Sequence, residues 1–172
     1  FEVALNSEHG LKQIAILRDR FGEKCMIGAG TAISVDLAKA AIGAGAQFLL
    51  TPGTPIDVLQ YCAKKDIMLL PGVFTPGDVA TSLEFGYKTM KLFPAGCAPK
   101  GYLKALKGPY DEANYIAIGG VTIDNINDYF KEGYMGVGLA SNLMPLSVLK
   151  DKNWDLGVSY VQKYVSRVKR RV

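Results

Sequence analysis

Thr89-Met90-Lys91-Leu92-Phe93-Pro94-Ala95 reads as a short buried strand that carries a lysine where an apolar residue belongs. Strand side chains alternate between faces, so Lys91 and Phe93 share one face and Met90 and Leu92 the other. A lysine in that setting has two outcomes. Its four-carbon stem can carry the ammonium to water, or the amine can sit in a low-dielectric pocket that disfavours its charged form and leaves a nucleophile. The first is a snorkelling side chain; the second is the chemistry of Schiff-base enzymes.

On either side of this strand the chain repeats one pattern. Residues 1–5, FEVAL, alternate like a strand, with Glu2, Ala4 and Asn6 on one face and Val3 and Leu5 on the other. A glutamate inside such a strand is unusual. Ser7 is predicted to cap a helix that runs to about residue 21, with Leu11, Ile14, Leu17 or Arg18, and Phe21 marking one face. Residues 25–31 form a strand and turn, and Ser34 caps the next helix. A third strand over 46–51 ends at Pro52-Gly53, where Thr54-Pro55 offers an N-cap followed by proline at the first helical position. A fourth over 67–70 ends at Pro71-Gly72, and Thr75-Pro76 repeats the device. After the Lys91 strand comes one over 115–118, ending in Gly119-Gly120 with Thr122 as the cap of its helix. The last strand, 135–139, leads into Ala140-Ser141-Asn142, and a closing helix spans 154 to about 171.

Strand and helix alternating in this way specify a parallel sheet with helices outside. Gly28 and Gly30 invite a dinucleotide-binding reading, which fails because Ile33 stands where the third glycine belongs. Even spacing of the units then favours a closed (β/α)8 TIM barrel over an open sheet, as a single domain across residues 1–172. Such a barrel needs eight units and typically at least about 200 residues, whereas this sequence of 172 shows seven. The first βα unit is the one expected to be absent, because the sequence opens without methionine and inside a strand.

Composition narrows the chemistry. Charged residues are 21% and hydrophobic ones 49%, an ordinary globular mixture. No apolar run reaches spanning length and no basic-then-apolar leader is present, so a cytoplasmic protein without a membrane partner is expected. Cys25, Cys62 and Cys97 are widely spaced and form neither a disulfide framework nor a zinc pattern, and His9 is the only histidine. Metal-free chemistry without a cofactor is therefore expected. Much of the +4 net charge lies in Arg167, Lys169, Arg170 and Arg171, which suit the end of a helix dipole and lack the aromatic interleaving of a nucleic-acid groove.

Barrels of this kind place reacting groups at the C-terminal ends of their strands. The unusual residues fall there: Glu2, Asn6, Thr31, Pro52, Lys91, Phe93, Gly119, Gly120 and Ser141. Gly119-Gly120 ahead of a helix start offers backbone N–H groups to an anion, with the Ser141 hydroxyl at the neighbouring strand end. An amine, a carboxylate and a phosphate grip together suggest carbon–carbon chemistry through an imine. Lys91 would condense with a keto group and Glu2 would move the protons; Glu2 as a mere neutralising partner of the lysine fits the same pairing.

The motifs EVALNS (2–7), GAGT (28–31), TPG (51–53), LPGV (70–73), KLFPA (91–95) and IGG (118–120) resemble the 2-keto-3-deoxy-6-phosphogluconate (KDPG) and 4-hydroxy-2-oxoglutarate (KHG) aldolases, in order and spacing. The resemblance implies a trimeric class I aldolase that splits a 2-keto-3-deoxy-6-phospho sugar acid into pyruvate and glyceraldehyde 3-phosphate. It implies Lys91 as the Schiff-base lysine and Glu2 as the general acid/base. Thr31 and Pro52 would line the pyruvate end, Phe93 would pack beside the imine, and Gly119, Gly120 and Ser141 would bind phosphate.

Two departures point to the 2-keto-3-deoxy-6-phosphogalactonate branch of that family. Asn6 stands where the gluconate enzymes commonly carry arginine near the substrate carboxylate, and Ile118 where they carry threonine before Gly-Gly. Losing a hydroxyl at 118 removes a partner that could read the C4 stereocentre. Two other classes compete. A phosphate-binding isomerase or epimerase would share Gly119, Gly120 and Ser141 but survive loss of Lys91, and a non-catalytic barrel would leave Glu2 on a frayed edge strand.

Overall fold

The computed structural model of the protein describes residues 1–169; Arg170, Arg171 and the side chain of Lys169, part of the basic end noted above, lie outside the described residues. Seven strand-then-helix units follow one another, as the alternation predicts. The chain divides into two compact units, residues 1–91 and Leu92 onward.

In the first unit, β1 (Glu2–Ala4), β2 (Gly28–Gly30), β3 (Leu49–Leu50) and β4 (Leu69–Leu70) form a parallel sheet in that order. The register pairs Glu2 with Gly28, Val3 with Ala29 and Ala4 with Gly30, and then Ala29 and Leu69 with Leu49. Alternation therefore puts Val3, Ala29, Leu49 and Leu69 on one face. They pack with Ile14 of α1 (Gly10–Phe21), Ala38 and Ala41 of α2 (Val35–Gly43), and Val58, Leu59 and Cys62 of α3 (Ile56–Lys64) into one apolar cluster. Glu2, Gly28 and Gly30 are left on the opposite face. Beyond Pro71, β5 (Gly72–Val73) continues the line of β4, and α4 (Pro76–Glu84) leads to β6 (Thr89–Leu92), whose Lys91 amide donates to the Pro71 carbonyl at 2.8 Å.

In the second unit a short 3-10 turn (Ala95–Cys97) and α5 (Tyr102–Lys107) precede β7 (Asn114–Ile118), α6 (Ile126–Glu132) and β8 (Gly136–Gly138). β7 and β8 pair in parallel with Ile118 opposite Gly138. Two helices close the unit, α7 (Leu146–Lys150) and α8 (Trp154–Lys169). No helix among the described residues is long and apolar enough to cross a membrane.

Two of the five helix caps form as predicted. Ser34 accepts from the Leu37 amide at 3.3 Å, and Thr75 forms a full capping box with Asp78 ahead of Pro76. Ser7 does not cap α1: its hydroxyl donates to the Ala4 carbonyl at 2.7 Å in a turn, and the helix begins only at Gly10. The predicted face of α1 narrows as well, because Ile14 is fully buried while Leu11 and Phe21 are exposed. Thr54 donates to Asp78 instead of the helix start, which leaves Pro55 at the N-cap position of α3. Thr122 exchanges hydrogen bonds with Asn125, and α6 starts after that turn.

Candidate active site

β6 buries both of its faces. Met90 and Leu92 are fully enclosed, and Lys91 is 8% exposed. Burial pushes the Lys91 amine below the usual lysine range, and the Glu2 carboxylate pulls it partly back up. The lysine does not snorkel; its burial disfavours the charged form relative to an exposed lysine. Glu2 is on an exposed position of β1 and reaches across the parallel register. A Cβ added at Gly30 would coincide with the Glu2 carboxyl group, so β2 carries a glycine where the carboxylate lies. Sequence reading placed Gly30 in a rejected dinucleotide motif and missed this steric role; the signal was its two-residue offset from the Glu2 partner, Gly28.

The loop after β2 is strained. Thr31 has φ 62°, in the left-handed region that a β-branched side chain rarely enters, at a cost of about 1–3 kcal/mol. Such strain persists only where surrounding structure dictates it, and here the Leu5 amide donates to the Gly30 carbonyl and the Ala32 amide to the Leu50 carbonyl. Pro52 is exposed at the end of β3, resting on a residue that sequence reading did not single out. Thr51 is fully buried, donates to the Gly53 carbonyl at 2.6 Å and accepts from the Gly72 amide at 3.2 Å. A side chain at Gly72 would strike the Pro52 backbone, so the two strand ends are in close contact. Asn6 is exposed in the turn after β1 and not on the strand itself.

The second unit gathers the remaining residues. Gly119 and Gly120 both have positive φ, 88° and 86°, so this turn requires glycine. Crowding adds to that requirement: a Cβ at Gly119 would lie 3.2 Å from the Phe93 ring, and one at Gly120 would lie 2.8 Å from the Gly96 Cα. Gly96 donates to the Gly119 carbonyl at 2.8 Å, which locks the turn. The pair does not lead directly into a helix, because residues 121–125 intervene before α6. Ile118 projects over Gly138, where an added Cβ would meet its Cγ1 at 2.7 Å. Ser141 is exposed just beyond β8, and its neighbour Asn142 ties that end to the first by donating to the Val121 carbonyl at 3.1 Å. Of the thiols, Cys62 is buried and pushed up to about 11 by desolvation, which makes it inert, while Cys97 is exposed. Among the described residues, no group of three or more His, Cys, Asp or Glu side chains is placed to hold a metal ion.

A family model described as KDPG and KHG aldolase matches residues 1–159. This chain belongs to the KDPG and KHG aldolase family. The aldolase is 31% identical over 165 residues to 2-dehydro-3-deoxy-6-phosphogalactonate aldolase of Escherichia coli (strain K12), covering 95% of this chain and 80% of the relative. It is 33% identical over 155 residues to a 2-dehydro-3-deoxy-phosphogluconate aldolase of Pseudomonas aeruginosa, covering 89% and 70%. Among solved structures it resembles the KDPG aldolase of Legionella pneumophila, which holds pyruvate as a covalent carbinolamine intermediate. That pair has a TM-score of 0.86 at 30% identity, covering 93% of this chain and 78% of the other. The fold is accordingly of the (β/α)8-barrel type, and the aldolase is a carbon–carbon lyase.

Proposed function

We propose that this aldolase cleaves 2-keto-3-deoxy-6-phosphogluconate to pyruvate and D-glyceraldehyde 3-phosphate through an imine on Lys91. The observation that carries this reading is the Lys91 amine itself, 8% exposed and held below the usual lysine range by burial with Glu2 as the opposing charge. The neutral amine adds to the C2 keto carbon, and the carbinolamine loses water to give a protonated imine. Glu2 then accepts the C4 hydroxyl proton as the C3–C4 bond breaks; the bond's electron pair flows into the imine to form an enamine, and the aldehyde departs. Protonation of the enamine at C3 and hydrolysis of the imine release pyruvate and restore the amine.

In this reading Thr31, Pro52 and Phe93 surround the pyruvate end and Asn6 stands near the carboxylate. Gly119, Gly120 and Ser141 hold the phosphate. The enzyme works as a homotrimer in the cytoplasm, needs no cofactor and takes no nucleic acid or membrane as partner.

A second reading, the same chemistry on the galactonate epimer, is favoured by Ile118. This apolar side chain covers Gly138 where the gluconate enzymes present a hydroxyl. Assaying the two phospho sugar acids side by side separates the two.

Borohydride reduction in the presence of pyruvate, followed by peptide mapping, tests the mechanism. A reduced pyruvate adduct on Lys91 is expected, and Lys91→Arg abolishes both adduct and turnover. Turnover surviving in Lys91→Arg would instead indicate isomerase-type chemistry.

A further inference from the structure

The loops that follow β7 and β8 share a hollow with α8. Thr122, Ser141 and Met144 from those loops and Tyr160 and Lys163 from α8 line one hollow of about 380 Å³. An adjoining hollow of about 400 Å³ shares Lys163 and adds Ser159, Ser166 and Arg167. Among the described residues, no aspartate or glutamate lines either one.

Three of the polar groups around the first hollow are already committed. The Thr122 hydroxyl accepts from the Asn125 amide, the Asn142 side chain donates to the Val121 carbonyl, and Tyr164 donates to the Asn142 carbonyl at 2.7 Å. These bonds fix the loop that carries Ser141 against α8. They leave the Ser141 hydroxyl and the Lys163 ammonium without a hydrogen-bond or ion-pair partner among the described residues. The ammonium lies 4.9 Å from the centre of the Tyr160 ring, a contact that aims it without neutralising it. A cation and a hydroxyl on a carboxylate-free wall favour an anionic ligand.

We propose that Lys163 is a specificity-determining residue: it draws the terminal phosphate of the substrate towards Ser141 and sets the preference for phosphorylated over unphosphorylated keto acids. This rests on the aldolase reading above. It adds to that reading a charged contact from α8, a helix to which the motifs between 2 and 120 assign nothing. Met144 and Tyr160 shape the apolar side of the same hollow, so a substrate lacking the phosphate gains nothing from the lysine.

Lys163→Met keeps the stem and removes the charge. The ratio of kcat/KM for the phospho sugar acid to kcat/KM for 4-hydroxy-2-oxoglutarate is expected to fall about tenfold, the loss of one charge-assisted hydrogen bond, through KM more than kcat. Lys163→Arg restores it. An unchanged ratio overturns the proposal. A separate titration with inorganic phosphate, read by calorimetry on the wild type and Lys163→Met, needs no turnover. Weaker phosphate binding in the variant supports the site even where Lys91 forms no pyruvate adduct, and equal binding overturns it whatever Lys91 does.

Discussion

Lys91 is a buried amine kept there at a cost. Because burial lowers its proton affinity in the folded chain, the unfolded chain holds the Lys91 proton to a higher pH, near the ordinary lysine value of about 10.4. Between the folded value and about pH 10.4 the unfolded state binds more protons, so this group's contribution to stability rises with pH across that window; below it, both states are protonated and the slope vanishes. Glu2 works the other way and raises the Lys91 value. Glu2→Gln should therefore move the half-point of Lys91 modification by a small electrophile to lower pH, while turnover falls by about 10²–10⁴ as the proton shuttle is lost. Gly30→Ala should move the half-point the same way and slow turnover about 10²-fold, because its Cβ displaces the Glu2 carboxylate and leaves the strand intact. A half-point that stays put in both variants would separate Glu2 from Lys91. That Lys91 was the residue to watch is legible from its apolar neighbours, and Glu2 from its misfit in a strand. Gly30 was not, since only the register shows which side chain lies over it.

At the scale of elements, the same residue types succeed or fail as caps according to what else lies within reach. Ser34 and Thr75 cap because their hydroxyls accept from amides of their own first turn, and the Asp78 carboxylate to which Thr75 also donates belongs to that same turn. Ser7, Thr54 and Thr122 have the right type and place but are taken by Ala4, Asp78 and Asn125. Sequence shows the cap and not its competitor, so of the five helix starts read from caps only those at Ser34 and Thr75 are borne out. Asp78 is the strongest local device. Burial raises its pKa, but the backbone amides of Thr75 and Phe74 and the hydroxyls of Thr75 and Thr54 outweigh that and lower it overall. Its contribution is present above the unfolded value near 3.9 and fades as pH falls through the depressed folded value. Thr75→Ala removes one donor to that carboxylate and the cap itself, at a cost of about 1 kcal/mol. A thermal melt at pH 7 should drop by about 2–4 °C, and an unchanged melting temperature would show the cap to be idle.

For the whole molecule, seven βα units could be counted from turn chemistry and apolar runs, since each strand is followed within three residues by glycine, proline or a hydroxyl residue. Strand lengths could not, because Pro71 splits one strand into two pieces of two residues each and Thr31 turns the chain as soon as β2 ends. The state of assembly was not legible either, as periodicity says which face of a helix is apolar and not what covers it. The structure gives that question a place: Leu146, Leu149, Trp154, Leu156 and Val158, five large apolar side chains within α7 and the start of α8, are 43–63% exposed. Exposed large apolar side chains gathered in neighbouring segments are candidates for a surface that association covers. If the enzyme is the homotrimer proposed, sedimentation equilibrium at micromolar concentration should return three times the 18.6 kDa chain mass. Trp154, the sole tryptophan, reports on the same surface. Its emission should shift to the red on dilution as the trimer dissociates and water reaches the ring, whereas a single-chain mass with emission independent of concentration would sink the trimer.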